Sequence, residues 1–136
     1  MDDQVRTLLR KYWHVIDQLY HPESIWLFGS RAGMSVSPHS DIDLIVVSVR
    51  FANIRRLKRR STFLRETGIA FDRTLPVVDP LCYTPEEFRQ GLGQPTIVAE
   101  AVATGIELVG IHLDSPEHAY ALNEPSSDES RQDVPD

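Results

Sequence analysis

Leu27-Phe28-Gly29-Ser30-Arg31-Ala32-Gly33 and, after a short polar connection, Ser40-Asp41-Ile42-Asp43-Leu44-Ile45-Val46-Val47 decide how this chain reads. The pattern is an apolar strand, a Gly-Ser turn, a polar loop and a second apolar strand that opens on two carboxylates. Side chains i and i+2 of a strand share a face, so Asp41 and Asp43 lie side by side, roughly 6–7 Å apart at Cα. Like charges that close call for a cation between them, and hard oxygen donors suit Mg²⁺. The Gly-Ser turn offers backbone N–H groups and a hydroxyl to phosphate oxygens. Paired carboxylates beside a phosphate cradle point to metal-assisted phosphoryl or nucleotidyl transfer.

Working outward, Val5, Leu8, Leu9, Tyr12, Val15, Ile16 and Leu19 recur at helical spacing behind Asp2 or Asp3 as N-cap, and His21-Pro22 ends that helix. Gly33 to Ser40 reads as a flexible connection. The unbroken Leu44-Ile45-Val46-Val47 predicts a strand buried on both faces. A helix over Ala52 to Thr67, with Ile54, Leu57 and Leu64 inward, carries much of a basic cluster: seven of the 14 Lys and Arg residues fall between Arg50 and Arg65. Gly68 caps it. A third strand lies between Leu75 and Tyr83, and Pro76 and Pro80 suit it to a sheet edge. Thr84-Pro85-Glu86-Glu87 is a capping box that starts a helix. Pro95 opens a last helix with Ile97, Val98, Ala101 and Val102 inward, and Ile106 to Ile111 is a possible final strand. The order is α-β-α-β-α-β-α-α with a closing strand.

Length and composition allow one domain with a modest core, placed at residues 1–113, and an acidic disordered tail at 114–136. The net charge of −6 belongs to that tail, which holds seven acidic residues and one basic; the remaining 113 residues carry 13 of each sign. No apolar run approaches the roughly 20 residues of a membrane span. The acidic start does not read as a secretory signal. The single cysteine, Cys82, excludes an internal disulfide and a cysteine-rich zinc site, and a reducing, cytoplasmic location is the expectation.

Gly29-Ser30, ten intervening residues, then Asp41-Ile42-Asp43 resembles the signature of the minimal nucleotidyltransferases of the DNA polymerase β superfamily. The likeness runs from about Ile25 to Leu108. It implies an α+β fold, a small mixed β-sheet with helices packed on one face. It implies that Asp41 and Asp43 hold two Mg²⁺ ions, with a third carboxylate from a later strand. Asp79 is the best match for that role, or else it initiates a turn with Pro80; Asp72 is the alternative. Gly29 permits close approach of a phosphate and Ser30 donates to it, while Arg31 either neutralises triphosphate charge or forms a surface salt bridge, and Ser40 caps or orients Asp41 at the nucleotide-binding edge. Glu86 and Glu87 read as cap and first-turn charges. The basic run from Arg55 to Arg60 reads as a solvated face or a nucleic-acid contact, with no aromatics interleaved for stacking.

The activity so implied is transfer of AMP from ATP to an acceptor hydroxyl. A chain with little beyond the core takes its acceptor site from a partner or from a homo-oligomer, and small proteins of this kind are similar to the antitoxins of HEPN-type toxins, some of which modify a tyrosine on the toxin. Two other readings compete: a non-catalytic module that regulates a partner by contact, and a stand-alone enzyme acting on a small molecule of the aminoglycoside type.

Overall fold

The apolar residues of Asp3–Tyr20 return every three or four positions, and this stretch forms α1, which buries Val5, Leu8, Leu9, Ile16 and Tyr20. A computed structural model describes residues 2–33 and 37–109. The acidic tail, the boundary at 113, and the middle of the Gly33–Ser40 connection therefore lie outside the described residues. The Asp2 carboxylate caps α1 by accepting from the Val5 N–H at 3.3 Å. His21 ends the helix in the left-handed region, at φ 48°, just ahead of Pro22.

Then follow β1 (Ser24–Phe28), a 3-10 turn at Gly29–Ala32, β2 (Ile42–Val47), α2 (Arg56–Thr67), β3 (Val78–Tyr83), α3 (Pro85–Leu92), α4 (Ile97–Thr104) and β4 (Ile106–Val109). The expected element order holds. β4 shows Ile106–Val109 of the closing strand expected over Ile106 to Ile111, and the last two positions lie outside the described residues.

The four strands form one sheet in the order β3-β2-β1-β4. β1 runs antiparallel to both β2 and β4, whereas β2 and β3 are parallel, with Asp43 opposite Asp79. A parallel pair needs a crossover, and α2 supplies it. Central position explains why Leu44, Ile45, Val46 and Val47 are all buried, as their unbroken run predicts.

Period-two alternation divides the strands between two cores. Ile25, Leu27, Ile42, Leu44 and Val46 meet α1 and the buried Phe63 of α2 in the larger one. Its inner end is an aromatic cluster in which Tyr20 lies 5.1 Å from Phe51 and 5.0 Å from Phe63 between ring centroids. Ile45 and Val47 point the other way, to Phe88 of α3 and Val98 and Ala101 of α4. The expectation of helices on one face thus describes α1 and α2; the short α3 and α4 cover a smaller cluster on the opposite face.

Four local expectations are corrected. The helix expected from Ala52 begins at Arg56, because Ser48 caps a separate 3-10 turn at Val49–Asn53 and Ile54 is extended. α2 then buries Arg59, Phe63 and Thr67, spaced four apart. Leu57, two residues from Arg59 and so roughly 200° around the helix, is 96 % exposed rather than inward. In α4, Thr96 is the N-cap and Val98 and Ala101 define the buried face, leaving Ile97 exposed. Leu19 is exposed at the end of α1, where the next residue, Tyr20, takes the inward position.

The free edge formed by β3 is irregular. Pro80 carries no N–H, and the Cys82 carbonyl accepts from Arg59 Nη1 at 3.3 Å. Cys82 is half-buried, and burial pushes its thiol up to about 12.

Candidate active site

The last residue of β1, Phe28, pairs with Asp43, so the turn that follows sits against that carboxylate. Gly29 has φ +74°, and a β-carbon placed there would stand 2.5 Å from Asp43 Oδ2. Both facts require glycine: the backbone is left-handed and the carboxylate occupies the space of a side chain. Gly29 and Ser30 face solvent. Asp41, just ahead of β2, is exposed; Asp43 is half-buried in the first turn of the strand.

Asp43 is raised above the ordinary carboxylate range, by burial first and then by the negative charges of Asp79 and Asp41. The three candidate carboxylates are therefore close enough to repel. Neither the Asp41 nor the Asp43 carboxylate has a hydrogen-bond partner among the described residues. Asp79 does: Arg60 Nε donates to its Oδ1 at 2.7 Å, with both side chains about half exposed. Among the described residues no three His, Cys, Asp or Glu side chains stand close enough to cage a metal ion. The donor set nonetheless fits Mg²⁺ in kind: oxygen donors only, two of them unpaired, and a mutual repulsion that a divalent cation relieves.

Arg31 is placed differently from the nucleotide-contact role expected of it. Its side chain is 0 % exposed and turns inward. Nη1 donates to Asp2 Oδ2 at 2.6 Å, Nε and Nη2 to the Ser40 carbonyl at 2.9 and 2.7 Å, and Nη2 also to the Pro38 carbonyl at 3.0 Å. With four of its five N–H groups bonded inward and no side-chain surface exposed, the guanidinium does not face a triphosphate in this arrangement. It ties the Gly-Ser turn to the start of α1 and to the loop that delivers Asp41. Ser40 accepts that bond through its backbone, beside Asp41.

Asp72, the alternative third carboxylate, is engaged by groups of α1 and its own turn. Lys11 Nζ at 2.7 Å, the Tyr12 hydroxyl at 2.6 Å and Thr74 all donate to it, and these bonds hold its carboxyl well below the usual range. Glu87 closes the expected capping box with Thr84 and also pairs with the nearly buried Arg59 at 2.7 Å. Burial alone would raise the Glu87 carboxyl, but the Arg59 bond, the Thr84 N–H and the charges of Arg59 and Arg56 bring it below its ordinary value. The basic run is thus divided between structure and site. Arg56, Arg59 and Arg60 share a helix face at i, i+3 and i+4, a spacing that was present in the sequence. The partner of Arg60, a carboxylate expected to bind metal, was not.

A turn able to approach phosphate closely, set against unpaired carboxylates at the mouth of adjacent strands, has the chemistry of nucleotidyl transfer. Comparison with known families agrees: residues 9–103 match the family model described as nucleotidyltransferase domain, and the chain belongs to that family. Nucleotidyl transfer is its general activity. A search of curated proteins finds no match. Among solved structures, the BolA domain of SufE1 from Arabidopsis thaliana is similar over 60 % of this chain and 92 % of that one, at 16 % identity and a TM-score of 0.43, too low to define a common fold. No helix among the described residues is long and apolar enough to cross a membrane.

Proposed function

We infer that the chain transfers AMP from ATP to an acceptor hydroxyl with the help of Mg²⁺ held by Asp41 and Asp43 and completed by Asp79. The observation that carries this reading is the seating of Gly29 against Asp43: the solvent-facing turn and the half-buried carboxylate meet with no room for a β-carbon between them. The Ser30 hydroxyl and the backbone of the turn bind and orient the phosphates. Arg31 holds turn and loop in register without touching substrate. Asp43, already raised by burial and by its acidic neighbours, is the carboxylate whose ionised form gains most from a bound cation. When bound, Mg²⁺ supplies charge neutralisation on the phosphates and lowers the pKa of the acceptor hydroxyl.

The acceptor we favour is a protein hydroxyl, such as a tyrosine of a HEPN-type toxin, because Gly29, Ser30 and Asp41 are exposed and open to a side chain presented by another protein. The test is a calorimetric titration of ATP with Mg²⁺ into wild type, Asp41→Asn and Asp43→Asn. Metal-dependent binding in wild type, reduced at least tenfold in each variant with the thermal transition retained, is the expected result. Equal binding in all three would remove both aspartates from the site. A contact-only regulator would bind its partner equally well with and without ATP.

A further inference from the structure

The hollow beside β3 has no part in the reading above. Its walls are Arg56, Arg59 and Arg60 of α2 and Pro80–Tyr83 of β3, and it holds about 330 Å³, ample for a phosphate group. Its three cations are unequally committed. Arg59 is nearly buried and donates to the Ile54 and Cys82 carbonyls and to Glu87. Arg56 is 66 % exposed and reaches Glu87 only through Nε, at 3.5 Å. Arg60 donates Nε to Asp79, while its two terminal nitrogens have no partner among the described residues. Three guanidinium groups against Glu87 and Asp79 leave the hollow positive. The first turn of α2 adds to this, because its N-cap, Arg55, provides no capping side chain.

We propose that this hollow binds a phosphate group, and that the phosphate competes with Asp79 for Arg60. Guanidinium recognises phosphate oxygens through two parallel N–H bonds, whereas Arg60 holds Asp79 through one. A phosphate seated between Arg56 and Arg60 draws the guanidinium off β3 and releases the Asp79 carboxylate. Asp43 stands directly across from it on β2. The Arg60–Asp79 pair is then a latch on the third carboxylate, and a phosphate in the hollow opens it. The latch rests on the reading of Asp79 given above; the phosphate site itself does not.

The experiment is a titration of inorganic phosphate into the full chain, followed by NMR at the arginine Nε–H signals. Saturable movement of the Arg60 and Arg56 signals is expected. Arg60→Gln, at a half-exposed position, should weaken phosphate binding by about tenfold, the loss of one charge-assisted pair. Asp79→Asn should tighten it, because the competitor is gone. Absence of saturable shifts, or equal phosphate affinity in wild type and Arg60→Gln, overturns the site. Unchanged affinity in Asp79→Asn overturns the latch. Repeating the titration with a short single-stranded RNA separates the two sources of phosphate: tighter binding that Arg60→Gln removes assigns a polymer backbone, and affinity equal to that of the free ion assigns a small phosphate. Failure of Mg²⁺ to bind wild type would refute the metal reading and leave the Arg60 shifts standing.

Discussion

Gly29→Ala is the sharpest test of the candidate site. The residue adopts φ +74°, and an L side chain in the left-handed region costs about 1–2 kcal/mol. That cost alone lowers the melting temperature of a domain this size by about 5–10 °C. The second effect is local. The new methyl would stand 2.5 Å from Asp43 Oδ2, so the carboxylate must retreat by about 0.9 Å to reach an ordinary 3.4 Å contact. Misplacement of a reacting group by about 1 Å costs on the order of a hundredfold in rate. The variant should therefore fold, melt several degrees lower, and lose about two orders of magnitude in transfer or in Mg²⁺-dependent ATP affinity. Gly33→Ala is the control: its backbone is extended at ψ, its φ of −88° is ordinary, and its nearest neighbour, the Ser30 carbonyl, is 3.4 Å away. Differential scanning calorimetry and the ATP titration read both effects. If Gly29→Ala and Gly33→Ala behave alike in the two assays, the packing of turn against carboxylate does not govern the site.

Arg31→Met should destabilise the fold by about 3 kcal/mol, since it leaves Asp2 and two carbonyls without their buried cation; urea denaturation checks this, and a loss under 1 kcal/mol would contradict the inward placement of Arg31. Gly105→Ala should cost about 1–3 kcal/mol, because a β-carbon there runs into the Ala101 and Leu27 carbonyls where β4 joins β1, and wild-type stability would show that this junction is loose. The Glu66 carboxyl is held below its ordinary 4.5 chiefly by the Tyr20 hydroxyl, with burial opposing and Arg50 assisting. Its contribution is present above pH 4.5 and fades as pH falls through the lower folded value, so Glu66→Gln should flatten the acid side of the stability profile below pH 4.5; an unaltered slope there refutes the assignment.

The Gly-Ser turn and the paired aspartates that follow it were legible in the sequence because their signals are local. A glycine ends one strand, two carboxylates open the next, and alternation sets their faces. Element order followed from the same kind of signal, with the capping box at Thr84–Glu87 the clearest instance. What escaped was set by contacts distant in sequence. Arg31 reads as either a triphosphate contact or a surface salt bridge until the fold brings Asp2 and the Ser40 carbonyl to it, across 29 and 9 residues, and turns it inward. Asp79 reads as a free ligand until α2 brings Arg60 over the edge of β3. The inward turn of Leu57 was misread because one break at Ile54–Arg55 resets the phase of the helix, and no breaker residue marks it. Hydrophobic periodicity finds a helix, and only tertiary packing settles which face is inside.

The irregular margin of β3 limits how a second chain can engage this side of the molecule. An incoming strand needs a continuous row of backbone donors and acceptors. Pro80 interrupts the donors and the Arg59 bond to the Cys82 carbonyl occupies an acceptor. Sheet extension is thereby discouraged, and with it the commonest route by which small open sheets aggregate. A partner that approaches here is recognised by the side chains it presents, not by the shape of its main chain.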